Sequence, residues 1–254
     1  MTILDKELPK NVQASQSLRL PIQFPACYCA DVITLLIATR NSHKVVEIRT
    51  ILGGQFRFLT LNDFPDAPKI IEDAPTFAGN ATKKVVELAH WLSSSQPSTL
   101  NPQLFFVLAD DSGLEVDALD GAPGVHSARY AALDRSADGS SANTPDADNN
   151  AKLLRLLKAV PLEKRTARFH CVIALVGVQS SKSKVQSPCL FNGVCEGRII
   201  FEPRGQNGFG YDPLFVPAGF EQTFAELGDG MKNKLSHRAR ALGKLKVFLT
   251  NKNG

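Results

Sequence analysis

Leu104-Phe105-Phe106-Val107-Leu108-Ala109, followed without a break by Asp110-Asp111-Ser112-Gly113, is the stretch on which the reading of the fold turns. Apolar residues in unbroken succession, too few for a helix, read as a buried central strand. That strand is expected to stop abruptly at the two aspartates, because a carboxylate buried without a partner is costly. Asp-Asp-Ser-Gly is good turn chemistry. Beyond it, Leu114, Val116 and Ala118 alternate with Glu115 and Asp117, as a half-exposed strand would.

Outward from this segment, strand and helix signals alternate. Val32–Ala38 reads as another buried strand, followed by a polar loop at Thr39-Arg40-Asn41-Ser42. A helix to about Leu52 comes next, with Val45, Ile48 and Leu52 as its stripe and Gly53-Gly54 as its stop. A second helix, roughly Thr76–Leu92, carries Phe77, Ala81, Val85, Leu88 and Leu92 on one face. Helix Ala151–Lys158, strands Arg168–Val178 and Val194–Phe201, and helix Ser236–Leu249 complete the series, with polar Asp134–Asn150 expected as a long surface loop. Pro203–Pro217 is a Gly/Pro-rich stretch, and the Ser-rich segments near 93–102 and 179–190 read as surface connections. The alternation predicts an α/β fold. Residues 1–31, polar and holding Pro21 and Pro25, read as a flexible N-terminal extension ahead of one domain over 32–251.

Composition narrows the function classes. The chain has 254 residues, 43% hydrophobic and 21% charged, an ordinary globular balance. A net charge of +4 is too small to argue for nucleic acid or a membrane, yet allows a local cationic pocket for a small polyanion. Cysteines 27, 29, 171, 189 and 195 form no C-x-x-C pair and no zinc spacing, which fits a reducing, cytoplasmic setting. No apolar run approaches the roughly 18 residues of a membrane span, and the first 30 residues lack the pattern of a signal peptide.

Four groups of residues carry candidate chemistry. Asp110-Asp111 stands at the carboxyl end of a strand, where α/β sheets bind ligands, and a hard cation such as Mg²⁺ satisfies such carboxylates. Strand alternation directs only one of the two toward a ligand. Thr39-Arg40-Asn41-Ser42-His43-Lys44 leads into a helix N-terminus, a natural phosphate site, although it lacks the glycines of a Walker loop and equally suits a plain helix cap. On the second helix Lys84 and Asn80 share one border of the buried face while Lys83 points to solvent, so Lys84 is the phosphate candidate; Glu72, just ahead, is a possible second carboxylate for a cation. Gly208-Phe209-Gly210-Tyr211-Asp212 offers two aromatics for stacking on a base and a carboxylate for a base or sugar, or else is a structural loop. Lys232, Ser236, His237 and Arg238 gather at the last helix, with Arg238 the strongest donor.

These pieces, taken in order, resemble the inosine triphosphate pyrophosphatase family, the dITP/XTP pyrophosphatases. The resemblance is carried by Leu36–Asn41 with Lys44, Thr76-Phe77 with Asn80-Ala81, Ala109–Leu119, Gly121–Tyr130, Asp148-Asn149-Asn150, Gly208–Pro213 and Ser236-His237-Arg238, and it covers about residues 33–250. It implies a long, mixed, twisted sheet flanked by helices, in two lobes around a cleft. It further implies hydrolysis of ITP, dITP and XTP to the monophosphate and pyrophosphate, cleansing the nucleotide pool, by a Mg²⁺-dependent homodimer. Carried over by residue, Thr39, Arg40, Asn41, Ser42, His43, Lys44 and Lys84 hold phosphates, and Glu72 and Asp111 hold the metal. Asp111 is also the proton acceptor for water, and Ser112 touches substrate. Phe209, Gly210, Tyr211, Asp212, Lys232, His237 and Arg238 recognise the base. Arg40 stands where the family commonly has glycine, and Gly79 where many bacterial members carry a carboxylate. A Maf-type pyrophosphatase for other modified nucleotides and a non-catalytic nucleotide-binding module are the competing readings.

Overall fold

The computed structural model describes residues 32–95, 105–134, 143–178 and 187–251. The extension expected over 1–31 lies outside them, as do most of the connections near 93–102 and 179–190 and residues 135–142 of the expected surface loop.

Six strands form one open mixed sheet: β1 (Thr34–Ile37), β2 (Arg57–Thr60), β3 (Phe105–Val116), β4 (Thr166–Gly177), β5 (Cys189–Ile199) and β6 (Phe215–Pro217), in the order β2-β1-β3-β4-β5-β6. Helices α1 (Ser42–Leu52), α2 (Phe77–Ser95), α3 (Asp146–Leu156), α4 (Phe224–Leu235) and α5 (His237–Asn251) flank it. β1 runs parallel to both β2 and β3, and the remaining pairs are antiparallel. The mixed α/β sheet expected from the sequence is the one found.

The strand containing the aspartates does not stop at them. β3 continues through Asp110, Asp111, Ser112 and Gly113 to Val116, because β4 pairs with it antiparallel from Phe106↔Gly177 to Val116↔Ala167. The backbone of the Asp-Asp-Ser-Gly segment therefore finds its hydrogen bonds in the ladder, and no turn is required. The parallel partner does end there: β1 matches β3 only to Ile37↔Leu108, closed by Ala38 N–H donating to the Leu108 carbonyl at 2.7 Å. One side of β3 thus opens as the aspartates begin.

The core is divided at the same point. Phe106 and Leu108 of β3 join Leu35, Ile48, Ile173 and Leu242 in one buried cluster, while Leu114 and Val116 join Leu153, Phe169, Phe215 and Phe224 in another. Asp110–Ser112 lies between them, which gives the expected two lobes a physical basis.

Several boundaries move. α3 begins at Asp146, not Ala151, so the C-terminal end of the expected Asp134–Asn150 loop is helical. β5 starts at Cys189, ahead of the expected Val194. β2, β6 and α4 carried no clear periodic signal. β2 and β6 span only 4 and 3 residues, and α4 is interrupted at Gly228, whose φ is 74°. α4 is started by a capping box, Thr223 with Glu226.

α5 crosses β5 at Gly193, where any Cβ would collide with the His237 carbonyl and the Ala241 backbone N–H. From the same helix Arg240 Nη1 and Lys244 Nζ donate to the Val194 and Asn192 carbonyls, at 2.8 and 2.7 Å. These cations cover carbonyls along the part of β5 that β6 does not pair. Gly193→Ala is expected to force α5 off the sheet and lower the unfolding free energy by about 1–3 kcal/mol, measured as a shifted urea midpoint with an unchanged slope.

Candidate active site

The site begins with the β1–α1 connection. Asn41 caps α1, its side chain accepting from the Lys44 backbone N–H at 3.2 Å, which aims the first turn past the end of β1. Lys44 then reaches across to β3 and donates to Asp110 Oδ1.

Strand alternation separates the two aspartates. Asp110, fully buried, faces Arg238: Nε donates to Oδ2 at 2.9 Å, with Ser112 Oγ donating to Oδ1 at 2.9 Å and Cys171 Sγ to Oδ2 at 3.2 Å. Burial pushes its carboxyl up, but Arg238 and Lys44 outweigh this and hold it well below the usual range. Asp111 faces α2, accepting from Lys84 Nζ at 3.2 Å and from Asn80 Nδ2 at 3.2 Å. Lys84 also donates to Glu72 Oε2 at 3.1 Å and to the Asp110 carbonyl at 2.8 Å. Burial, assisted by the adjacent Glu72 carboxylate, pushes Asp111 up to about 6 against the pull of Lys84 and Lys44. Lys83 points away and pairs with Asp73 on the surface at 2.7 Å. The helix-face argument therefore separates the two lysines correctly.

Two carboxylates side by side, one with a raised pKa, are a donor set short of positive charge. Among the described residues no group of three or more His, Cys, Asp or Glu is placed to hold a metal by itself. Mg²⁺ fits two carboxylates none the less, since it keeps water and takes phosphate oxygens in its remaining positions.

Beyond Asp110 the charges interlock. Arg238 Nη1 donates to Glu47 Oε2, Lys232 Nζ reaches Glu47 Oε1 at 2.7 Å and Asp212 Oδ2 at 2.6 Å, and Asp212 Oδ2 accepts the Phe209 N–H at 2.8 Å. Glu47 was not anticipated. Its signal was its place three residues after Lys44, at the margin of the α1 stripe. Asn80, noted beside Lys84 and in the family pattern but given no role, bridges Asp111 and the Ala74 N–H close to Glu72, the latter at 2.9 Å.

Asn41, Lys44, Ser112, Phe209, Lys232 and His237 share the wall of one cleft, together with Gly210, Tyr211, Asp212 and Arg238. Thr39, Arg40, Ser42 and His43 do not line it, nor do Glu72, Lys84 and Asp111, which lie beside it past Ser112 and Lys44. Of the two loop aromatics, Tyr211 is buried and its hydroxyl donates to the Ser127 carbonyl at 2.9 Å. Phe209 is half-buried, its ring stacked on His43 at 5.3 Å and with Lys232 Nζ 4.3 Å from its centroid. His237 stacks on Phe169 at 4.8 Å, and burial holds its pKa well below the usual value, so it is neutral. Its Nδ1 is buried without a hydrogen-bond partner. Buried polar nitrogens are rarely left unpaired, and this one stands in a residue of the cleft wall.

Known proteins resemble this chain over most of its length. A protein from Shouchella clausii named dITP/XTP pyrophosphatase is 46% identical over 212 residues, covering 84% of this chain and 94% of that one. A Geobacter sulfurreducens protein of the same name is 46% identical over 216 residues, covering 85% of this chain and 96% of its own length. Among solved structures, a HAM1 protein from Coxiella burnetii superposes with a TM-score of 0.68 at 38% identity, over 87% of this chain and all of that one. The model of the Ham1 family matches residues 35–248, a span that contains every site residue named above, and the chain belongs to that family.

Proposed function

We propose that this protein hydrolyses altered purine nucleoside triphosphates (ITP, dITP and XTP) between the α- and β-phosphates, giving the monophosphate and pyrophosphate. The observation that carries the reading is the acid pair Glu72 and Asp111 set among the ammonium groups of Lys84 and Lys44, beside a cleft whose wall includes the Phe209 ring. The names of the relatives support the substrate class. Residues 32–251 are the catalytic domain and 1–31 an extension to it, with the homodimer and cytoplasmic setting of the family resemblance. Among the described residues no helix is long and apolar enough to cross a membrane.

Glu72 and Asp111 hold Mg²⁺, which when bound neutralises triphosphate charge. Thr39–Lys44 and Lys84 receive the phosphates, and Lys44 meets the charge that develops on the departing pyrophosphate. Asp111 accepts the proton of the attacking water, the role that the family resemblance implies for it. Ser112, on the Asp110 face of the strand, touches the substrate between the phosphate and base ends. Phe209 stacks on the base, with Gly210 allowing close approach. Lys232, His237 and Arg238 address the base edge, while Asp212 and Tyr211 hold the loop from behind. Donors aimed at O6 accept a 6-oxo purine and leave the 6-amino group of adenine mismatched.

Pyrophosphate release with ITP, XTP, GTP and ATP is expected to be strong for ITP and XTP, weak for ATP, and absent once Mg²⁺ is chelated. Asp111→Asn is expected to cost roughly 10²–10⁴-fold in kcat while leaving the circular-dichroism melt cooperative; turnover near wild type refutes the assignment. Lys84→Ala is expected to lower kcat/KM by on the order of 10²-fold, and Lys83→Ala by less than about twofold, as surface pairs contribute little. Equal losses for the two lysines would remove Lys84 from the site.

A further inference from the structure

The loop Gly208–Asp212 is held by two side chains of α3. Asp146 Oδ2 accepts the Gly210 N–H at 2.6 Å, and Asn150 Nδ2 donates to the Gly210 carbonyl at 3.0 Å. The two side chains stand one helical turn apart, on one face of α3. They grip both polar groups of a single residue whose φ, 64°, is left-handed.

The consequence falls on Phe209. Its carbonyl accepts the Asp212 N–H at 3.3 Å, and the same peptide plane is fixed at its other end by Asp146. Its own N–H donates to Asp212 Oδ2 at 2.8 Å. Asn150 fixes the following plane. Phe209 is flanked by Gly208 and Gly210, both at positive φ, so its backbone direction depends on these bonds, while its ring is held by His43 and Lys232. Asp146 reaches the cleft wall, but Asn150 lines only the groove on the other side of the loop. Any effect of Asn150 on substrate therefore passes through the loop.

We propose that Asp146 and Asn150 are positioning residues for nucleobase recognition, clamping Gly210 so that Phe209 is held at stacking height before substrate arrives. The proposal rests on the reading of Gly208–Asp212 as the base-recognition loop. It separates the work of α3 from that of Lys44, Lys84 and Asp111: the clamp affects the nucleoside end of the substrate and not the triphosphate end.

The test measures, for Asn150→Ala, Asp146→Ala and Asp146→Asn, the KM and kcat for ITP and the inhibition constants of IMP and inorganic tripolyphosphate. Loss of one clamp bond is expected to raise the KM for ITP and the inhibition constant of IMP together, by about tenfold. The change in kcat is expected to be smaller than that in KM, and the constant for tripolyphosphate to stay within about twofold of wild type. Asp146→Asn keeps an acceptor oxygen and is expected to recover most of the loss seen with Asp146→Ala. A lowered melting temperature with unaltered KM and IMP inhibition overturns the proposal, as does an equal weakening of tripolyphosphate. Should Asn150→Ala not fold, Asp146→Ala, on the exposed first turn, gives the same readouts. A wild-type protein that fails to hydrolyse ITP overturns the functional reading itself, whereas active wild type with unaffected variants overturns only the clamp.

Discussion

Arg238 is buried between two carboxylates from different elements, Glu47 of α1 and Asp110 of β3, and the rest of the site is arranged around that fact. A guanidinium and two carboxylates are expensive to take out of water, and only close mutual pairing compensates. Lys44 and Lys232 extend the pairing to Asp110, Glu47 and Asp212. Lys44, Lys232 and Arg238 therefore balance Glu47, Asp110 and Asp212. Such a set fixes relative positions more than it adds stability: each charge is satisfied in one geometry, and removing one member leaves an opposite charge stranded.

That network ties together the elements around the cleft. α1 brings the β1–α1 loop, β3 the two aspartates, α4 and α5 the cations of the cleft wall, and Asp212 the aromatic loop. Because these charges and dipoles are oriented in advance, little reorganisation remains for the moment of reaction. The paired aspartates show the division of labour. Asp110 spends its charge on Arg238 and Lys44 and acts as a brace. Asp111, one residue on, is turned to the opposite face, where Glu72 and burial leave it under-neutralised and open to a cation.

Much of this was legible in the chain. The apolar periodicity of α2 distinguished Lys84 from Lys83, because helical geometry alone assigns them different faces. The β1–α1 loop was legible as a helix start, with Asn41 or Ser42 as the cap, and the structure chose Asn41; Gly53-Gly54 marked the end of α1. The long buried strand was visible up to Ala109. It was not visible beyond, since two aspartates and a Ser-Gly step read as a turn until β4 is known to supply a ladder and Lys44, Lys84 and Arg238 to supply counter-charges. α4 was hidden by its glycine-broken pattern, and β2 and β6 by their brevity; both strands exist because a neighbour offers an edge.

The sequence by itself determined the α/β class, the helix faces, the candidate acids and cations and, through their order, the family. Those features depend on local periodicity and on residue type, which are properties of the chain. Tertiary structure alone decided that Tyr211 is tied to the Ser127 carbonyl while Phe209 packs on His43 and Lys232 at the cleft wall, that Glu47 belongs to the site, and that His237 is neutral with an unpaired nitrogen. Each of these depends on which distant group lies within a few ångströms, and so on burial and pairing that no local pattern encodes.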